Sequence, residues 1–272
     1  MQRKKKRTYI CNFILIIIGI AFVIPTIWLI FASFDMNASE SLRWPEWTLD
    51  NFKFVIQSGR NLNSFKNSLI IAFGSAAIST IFGSIAAYPL SRFKGKYKNA
   101  FMLGILLMST MPMSVAMVPI FRFYVSIGLN DSLVGLILLS GSAALPYSIW
   151  LMRNFFNAVT VDLEEAAWVD GCTRVKGLWH VVIPLSAPGL ATVFIYNFSH
   201  AWSGFYSAFI LLSSQEKYPA AVMLYQFMDE FDTGFGRLAA YAVCYTLPAV
   251  ILYFFSQKYM SRGFSMQGGL KG

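Results

Sequence analysis

Residues 67–91 read NSLIIAFGSAAISTIFGSIAAYPLS, a run without a single Asp, Glu, Lys or Arg. A helix needs about 20 consecutive, mostly apolar residues to cross the hydrocarbon core of a bilayer, so this run predicts a transmembrane helix. Five further runs without charged residues are long enough for the same role: 8–34, 99–121, 132–152, 177–215 and 238–257. The run 177–215 is too long for one helix. Because proline is favoured in a first helical turn, Pro188 is expected to begin a span over 188–212.

The composition of the whole chain supports a membrane protein. Of its 272 residues, 56% are apolar and 13% are charged, whereas ordinary soluble domains are about 45–50% apolar and about 25% charged. Disordered chains, coiled coils and most soluble enzyme folds are thereby excluded. We expect an all-α membrane protein in which residues 1–272 form one domain with six transmembrane helices.

The distribution of basic residues predicts the orientation of the spans. Short cytoplasmic loops of membrane proteins carry an excess of Lys and Arg. Most of the 22 basic residues here fall in the N-terminal tail, in the loops after the second and fourth spans, and in a C-terminal tail over 258–272. Both termini are therefore expected to be cytoplasmic. This asymmetry accounts for the net charge of +9 and argues against a nucleic-acid partner.

Two segments have local structure that the sequence predicts. Asp50 is a suitable N-cap for a short amphipathic helix that carries Phe52 and Phe54. Residues 108–119, MSTMPMSVAMVP, bring two prolines and four methionines into the third span. Proline removes a backbone hydrogen bond, and methionine fills irregular gaps. A kink is expected in this span, with or without a role in gating.

The loop between the fourth and fifth spans contains VDLEEAAWVDG over residues 161–171. Asp162 and Glu165 have the spacing of a capping box, and Gly171 suits the left-handed conformation that ends many helices. Pro184 is expected to halt this structure before the fifth span. The pattern predicts a short cytosolic helix, which is either a solvated acidic loop helix or a lever on which a soluble partner pushes.

The same loop, over about 153–186, resembles the EAA loop of binding-protein-dependent ABC importers. The triplet Glu-Ala-Ala at 165–167 is followed after three residues by Gly171, and after nine more by Val-Val-Ile-Pro at 181–184. The family has Ile-x-Leu-Pro at the end of that pattern. The resemblance implies a coupling helix that docks into a cleft of a cytosolic ATPase. The residues assigned to this role are Glu165, Ala166, Ala167, Asp170, Gly171 and Pro184.

The C-terminal sequence RGFSMQGGLKG, over 262–272, resembles the glycine-rich ending of MalG-type carbohydrate permeases, and the loop over 213–236 is similar to their last external loop. The resemblance covers essentially the whole chain and implies a type I ABC importer transmembrane domain. It implies a tail that contacts the ATPase through Gln267, Gly268, Gly269 and Lys271. It also implies an external loop that contacts a solute-binding protein. Three acids of that loop contact this protein or are simply solvated: Asp229, Glu230 and Asp232.

Such a permease implies a bacterial inner-membrane location and a defined set of partners. These are a second, homologous permease subunit, two cytosolic ATPase subunits, an extracytoplasmic solute-binding protein, the lipid bilayer and a carbohydrate substrate. The chain lacks the Gly-x4-Gly-Lys-Ser/Thr sequence that cradles nucleotide phosphates. We therefore expect a transport subunit that is not an enzyme and binds no cofactor or metal, with ATP and Mg bound by the partner ATPase.

The fifth span is expected to line the substrate pathway because it is unusually polar. Polar side chains within a membrane usually face the helix bundle or a water-filled cavity. The candidate pathway residues are Asn197, His200, Trp202, Ser203 and Tyr206. Hydrogen bonding between helices would also account for Asn197 and His200. Many relatives have Trp-Asn-Glu/Asp-Phe where this chain has Trp-Ser-Gly-Phe at 202–205, a difference that is compatible with a wider cavity and a bulkier glycan.

Two other functions are compatible with parts of the sequence. One is an ABC importer permease for another solute, such as a glycerol-phosphate ester, but the six charge-free runs offer no basic residue for a phosphate. The other is a secondary carrier or a membrane-embedded enzyme. A carrier is expected to have an intramembrane Asp or Glu, which those runs also lack. His180 and His200 would lie roughly 30 Å apart in a continuous helix, which argues against joint catalysis.

Overall fold

The computed structural model describes residues 2–39, 44–93, 95–229 and 234–268, and the side chains of 11–39, 44–93, 95–228 and 234–255. In these residues the regular secondary structure is helical, and one isolated antiparallel bridge joins Asp35 and Trp47. In chain order the elements are α1 (Gln2–Ser33), α2 (Asp50–Gln57), α3 (Gly59–Arg92), α4 (Lys98–Ser109), α5 (Met113–Ser126), α6 (Leu133–Ala143), α7 (Leu145–Ala158), α8 (Val161–Val169), α9 (Arg174–Gly177), a π-helical turn (Leu178–Val182), α10 (Ile183–Leu185), α11 (Ala187–Trp202), α12 (Tyr206–Leu211), a 3-10 turn (Gln215–Lys217), α13 (Ala220–Asp229) and α14 (Phe235–Gly268). The all-α prediction is confirmed for the described part of the chain.

Three helices are long and apolar enough to cross a membrane by themselves, over Cys11–Ser33, Gly59–Arg92 and Phe235–Phe255. Three further candidates are pairs of helices that meet at a bend. α4 and α5 meet at 85°, α6 and α7 at 49°, and the helical run Arg174–Leu185 meets α11 at 76°. Among the described residues there are thus three spans, or up to six if each bent pair is one span. The six predicted runs correspond to these six candidates.

The predicted kink of the third span is confirmed. α4 ends at Ser109 and α5 begins at Met113, directly after Pro112. Proline cannot donate a hydrogen bond into the preceding turn, so the helix stops there and restarts in a new direction. Pro119, the second proline of the segment, lies inside α5.

The predicted fifth span is corrected. The prediction places it over about 188–212, but the candidate span is the bent pair that runs from Arg174 to Trp202, and α12 begins only at Tyr206. Ser203 and Gly204 at the break both have lower helix propensity than alanine, and glycine is especially unfavourable. Pro188 does lie in the first turn of α11, as predicted.

The chain divides into two compact units, one formed by Met1–Leu62 and Met223–Leu247 and the other by Asn63–Val222 and Pro248–Gly272. In the first unit, the Asn51 side-chain amide donates to the carbonyl oxygens of Ser33 at 3.2 Å and Asp35 at 3.0 Å. These bonds fasten α2 to the end of α1. Asp50 is the first residue of α2 and Leu49 is its N-cap, so the predicted cap was wrong by one residue. The Thr48 hydroxyl accepts from the Asp50 N–H at 3.1 Å instead.

The second unit contains two apolar clusters. The buried members of the first come from α3, α5, α6, α12 and the segments that follow α12: Ile71, Met117, Tyr124, Leu136, Leu139, Ala208, Leu211, Leu212 and Val222. The buried members of the second are Ala87, Met152, Phe156, Val182 and Val193. The second cluster packs the ends of α3 and α7 against the π-helical turn and α11, beside helix α8.

Candidate functional site

Helix α8 is the short helix predicted between the fourth and fifth spans, and it ends as predicted. Gly171 has a φ of +88°, a conformation that a side chain strongly disfavours. The Cys172 N–H donates to the Ala167 carbonyl at 2.9 Å, and the Gly171 N–H donates to the Trp168 carbonyl at 3.0 Å. These are the two bonds of a Schellman motif, which closes the C-terminus of α8.

The start of α8 differs from the prediction. The N-cap is Thr160, in extended backbone with φ −63° and ψ 138°, and it makes no side-chain cap bond. The predicted capping box of Asp162 and Glu165 is therefore wrong. Asp162 is the second helical residue, already inside the first turn, where its charge faces the positive end of the helix dipole.

The two faces of α8 have different surroundings. Four of the predicted coupling residues are exposed: Glu165, Ala166, Asp170 and Gly171. Ala167 is half-buried. Glu164, about 100° away from Glu165 around the helix axis, is completely buried. Helix α8 therefore presents the EAA glutamate outward and the preceding glutamate inward.

Sequence reasoning missed Glu164. Its carboxylate accepts a hydrogen bond from the Arg92 Nε at 2.5 Å and another from the Tyr88 hydroxyl at 2.7 Å. Arg92 is itself 8% exposed, and its Nη2 donates to the Val159 carbonyl at 3.1 Å. Removing one partner of a buried ion pair costs about 3–5 kcal/mol. No local pattern pairs positions so far apart in the chain, although a basic residue at the end of the second span was a visible starting point.

The last turn of α8 is attached to the helical run that follows. The Arg174 guanidinium carbon lies 5.4 Å from the Trp168 ring and 5.6 Å from the Phe93 ring. A Cβ atom on Gly177 would lie only 3.1 Å from the Trp168 Nε1. The indole is thus held between Arg174 and the backbone of α9.

The expectation that Pro184 halts structure before the fifth span was wrong. The helical run continues to Leu185, and the bend follows at Ser186. Residues Leu178–Val182, before Pro184, form a π-helical turn. This turn already departs from the α-helical hydrogen-bond pattern, so Pro184, which has no N–H to donate, does not end the helical run. Pro184 is exposed.

A cavity of about 650 Å³ lies in the second unit where three helix breaks meet. The break residues that line it are Ser109, Met111, Met113, Ala143, Pro146, Ser203, Gly204 and Phe205. Irregular backbone within a membrane is tolerated where it is buried in protein or lines a water-filled cavity. The lining also includes several hydroxyl groups and an imidazole: Ser68, Ser140, Ser142, His200, Tyr206 and Ser207. None of the residues that line it is Asp, Glu, Lys or Arg.

The structure separates the five candidate pathway residues into two groups. His200, Ser203 and Tyr206 are exposed and line the cavity. Asn197 is buried, and its amide donates to the Ser148 hydroxyl at 2.8 Å, which joins α11 to α7. Trp202 is also buried and stacks on Phe198, with ring centroids 6.0 Å apart. Contact of any of the five with a solute stays a prediction.

The loop over 213–236 begins at an aspartate lock, which we define as Asp131 with Ser213, Ser214 and Lys217. Asp131 Oδ1 accepts from the Ser213 and Ser214 N–H groups at 2.9 and 3.0 Å. Its Oδ2 accepts from the Ser214 hydroxyl at 2.6 Å and the Lys217 Nζ at 2.8 Å. Burial alone would raise the pKa of Asp131, but the Lys217 ammonium and these donors outweigh it and hold the pKa well below its usual range.

The other side of this loop is fastened to α3. The Asn67 amide donates to the Glu216 carbonyl at 2.8 Å, and the Ser68 hydroxyl accepts from the Ala220 N–H at 2.8 Å. The loop is therefore held from two directions before α13 begins. Glu230 and Asp232 lie outside the described residues, as does the side chain of Asp229.

The predicted tail contacts lie at the limit of the described chain. Gln267 and Gly268 are the last residues of α14, without described side chains, and Gly269 and Lys271 lie outside the described residues. In the part of the chain that the structure describes, no group of three or more His, Cys, Asp or Glu side chains could hold a metal ion.

Comparison with known proteins gives consistent matches. The family model described as "Binding-protein-dependent transport system inner membrane component" matches residues 79–266. The sulfoquinovosyl glycerol transport system permease protein SmoH of Agrobacterium fabrum is 33% identical over 276 residues, covering 98% of this chain and 94% of the relative. The trehalose transport system permease protein SugB of Mycobacterium tuberculosis is 30% identical over 274 residues, covering 98% and 99%. A crystal structure of a bacterial ABC transporter involved in the import of the acidic polysaccharide alginate matches with a TM-score of 0.82 and 25% identity, covering 94% of this chain and 98% of that chain.

Proposed function

This chain belongs to the family of binding-protein-dependent transport system inner membrane components, and from that premise we propose that it forms half of the pathway of an ATP-driven importer for a sugar or oligosaccharide. Two relatives are named for sulfoquinovosyl glycerol and trehalose transport. In this proposal the chain does no bond chemistry. Separate ATPase subunits bind ATP with Mg and hydrolyse it.

The cavity formed by three helix breaks is the observation that carries this proposal. Its wall combines serine hydroxyls with Tyr206 and His200. Hydroxyl groups both donate and accept hydrogen bonds, and an aromatic ring can pack on the apolar face of a sugar. These groups suit a neutral, hydroxyl-rich solute. A glycerol-phosphate ester is the second candidate, and it is disfavoured because no Lys or Arg lines this cavity.

The proposed assembly follows from the exposed parts of the chain. The outward face of α8, with Glu165 and Ala166, docks into a cleft of the ATPase, and the tail after Gln267 reaches the same subunits. The external loop over 213–236 meets the solute-binding protein. A second, homologous permease completes the pathway. Both termini lie in the cytoplasm, as the basic residues predict.

The proposed mechanism is alternating access driven by the ATPase pair. ATP binding closes the two ATPase subunits and displaces α8, and the spans attached to α8 change the side from which the cavity is open. The bent spans suit such a movement, because a helix already broken at 110–112 can rotate its halves without losing further hydrogen bonds. The solute moves while bound to side chains and water within the cavity.

The first test is ATP hydrolysis by whatever co-purifies with this chain in mild detergent, for wild type and for Glu165→Ala. We expect an ATPase with the wild-type chain, and weaker association or activity with the variant. Equal retention in both would remove Glu165 from the docking contact but leave the importer assignment intact. Absence of any ATPase under conditions that preserve membrane complexes would contradict the proposal.

The second test is uptake by proteoliposomes that contain the complete transporter. Radiolabelled trehalose, alginate oligosaccharides and glycerol 3-phosphate are offered with the cognate binding protein and internal ATP. ATP-dependent uptake of a saccharide supports the proposal. Uptake of glycerol 3-phosphate with exclusion of both saccharides would favour the second candidate.

A further inference from the structure

Glu164 is a buried charge that the proposed docking surface does not use. Its side chain has no exposed surface, and both carboxylate oxygens are occupied by Arg92 and Tyr88. Buried ionised groups are rare unless they are paired, and replacement by well-packed apolar residues is often neutral or stabilising. Stability alone therefore does not account for this pair.

The ion pair joins three elements at one point. Tyr88 and Arg92 lie one turn apart at the end of α3, and Glu164 lies in the first turn of α8. The second arm of Arg92 reaches the Val159 carbonyl, directly after α7. The start of α8 is thus bonded to the ends of the second and fourth spans.

The other end of α8 is attached in a different way. Trp168 packs against Arg174 and Gly177, which belong to the run that continues toward the fifth span. Stacking contacts of this kind resist compression but oppose separation weakly. A charged, hydrogen-bonded pair also opposes separation, because pulling it apart would leave both charges buried and unpaired. Of these two side-chain attachments, the one at Glu164 therefore opposes separation more strongly.

We propose that Glu164 is a positioning residue that, through Arg92 and Tyr88, transmits movement of α8 in both directions to the end of α3. This inference rests on the proposed function, since it needs an ATPase that moves α8. It assigns separate tasks to adjacent residues. Glu165 faces the ATPase, and Glu164 links the docked helix to the second span.

The test compares Glu164→Gln with Glu165→Gln in the complete transporter in proteoliposomes. Both substitutions remove one charge and keep the side-chain size. The quantity measured is solute taken up per ATP hydrolysed, after the retained ATPase has been quantified. For Glu164→Gln we expect retained ATPase and a ratio lowered by about fivefold or more, within the usual range of coupling energies. For Glu165→Gln we expect less retained ATPase and an unchanged ratio in the complexes that form.

A merely stabilising pair would change the amount of transporter and leave the ratio of uptake to hydrolysis unchanged, so an assembled Glu164→Gln transporter with the wild-type ratio overturns the inference. If Glu164→Gln does not assemble, the same ratio is measured for Tyr88→Phe. This variant keeps the ion pair of Glu164 with Arg92 and removes only the hydrogen bond from the Tyr88 hydroxyl. A lowered ratio in Tyr88→Phe supports the inference, and the wild-type ratio overturns it. Absence of ATP-dependent uptake by the wild type would overturn the proposed function itself. That result is distinct from a changed or unchanged ratio in the two variants.

Discussion

Asp131 holds the first residues of the loop over 213–236 although its own backbone is in the left-handed region, with φ of +50°. Few residues other than glycine adopt this conformation, and Asp and Asn are among those that tolerate it best. The conformation lets both carboxylate oxygens point toward Ser213, Ser214 and Lys217. The first residues of the loop proposed to meet the binding protein are therefore held by one side chain, while Asn67 and Ser68 hold the residues that follow.

Replacement of Asp131 by Asn is expected to loosen this loop. The variant keeps the backbone preference but loses the charge that pairs with Lys217, and hydrogen bonds to charged groups contribute about 1.5–3 kcal/mol each. Trypsin should cleave after Lys217 faster than in the wild type. Asp50→Asn is the matched control, because its partner Lys53 and Asp50 itself are 63% and 67% exposed. Equal cleavage of wild type and Asp131→Asn would contradict the lock.

The pH dependence of this lock follows from the direction of the pKa change. A carboxyl whose pKa is lowered by folding contributes stability that is present above its unfolded pKa of about 3.9 and is lost as the pH falls through the lower folded value. The difference in thermal unfolding between wild type and Asp131→Asn should therefore be constant from neutral pH down to about pH 5. It should shrink only in stronger acid. A difference that disappears already near neutral pH would show that another group provides the lock.

Substitution of Ser203 by Trp is expected to obstruct the cavity. Ser203 is exposed on its wall, and an indole there would occupy space that the proposed solute needs. Uptake should fall to a small fraction of the wild-type rate while the ATPase stays bound. Ser126→Trp is the control, since Ser126 is exposed at the end of α5 and does not line the cavity. Equal uptake by both variants would remove the cavity from the pathway.

Part of the residue assignment was accessible from sequence. The polar residues of the fifth span were recognisable, and three of them, His200, Ser203 and Tyr206, line the cavity. The burial of Asn197 was not, because Asn197 and His200 are three residues apart and share a helix face. The contact between Glu164 and Arg92 was not accessible, because it depends on how α3 and α8 pack. Local chemistry identifies which residues are polar, and tertiary packing decides which of them meet.

At the scale of elements, α3 and α7 approach each other closely because the residue of α3 at their contact is a glycine, Gly83. A Cβ atom on Gly83 would lie 2.8 Å from the Ser148 Cβ, so any side chain there would force the helices apart. Small residues permit such close packing within membranes. The Gly-, Ala- and Ser-rich sequence of α3 is the visible signature of this contact.

Gly83→Leu is therefore expected to destabilise the folded chain by about 1–3 kcal/mol, the usual cost of overpacking. The matched control is Gly104→Leu in α4, because a Cβ atom there meets nothing within 4 Å. Thermal unfolding in detergent, followed by loss of helix signal, measures both. Similar midpoints for the two variants would contradict a close contact of α3 with α7.

Local rules located the elements better than their ends. Helix α8 and its terminal Gly171 were predicted from capping chemistry, which depends on neighbouring residues alone. The start of α8 at the uncapped Thr160 was not predicted. Neither was the bend after Pro184, because a π-helical turn at Leu178–Val182 lets the helical run pass through this proline. Prolines also lie beside the bends of the fourth and fifth spans, because Pro146 and Pro188 stand in the first turns of α7 and α11, but the charge-free runs alone did not show that these spans bend.

At the scale of the whole molecule, six charge-free runs were sufficient to predict an all-helical membrane protein. Hydropathy and charge are summed over about 20 residues, so they tolerate errors at single positions. They do not show that a span is broken, because both halves are equally apolar. The bends that bring three helix breaks to one cavity depend on how the helices pack against each other. The sequence of one charge-free run does not contain that information.

The orientation of the chain is a prediction at this scale. With both termini cytoplasmic, a C-terminal fusion of green fluorescent protein should fluoresce, and a C-terminal fusion of alkaline phosphatase should be inactive. Phosphatase fused after Gln57, at the end of α2, should be active because that segment is predicted to be external. The opposite result at both positions would reverse the proposed topology and place α8 on the wrong side for an ATPase.

The break between α4 and α5 bears on where solvent reaches within the bilayer. The first N–H groups of any helix lack an acceptor within that helix. The side chain of Pro112, which precedes α5, has no polar atom to supply one, and its carbonyl accepts only from the Val115 N–H, at 3.1 Å. In hydrocarbon such groups are costly, but Met113 borders the cavity, where water can satisfy them. Amide hydrogens at the start of α5 would then exchange with deuterium while those a turn away stay protected. Backbone amide hydrogens in the middle of this apolar stretch would then be among the fastest of the spans to exchange with deuterium.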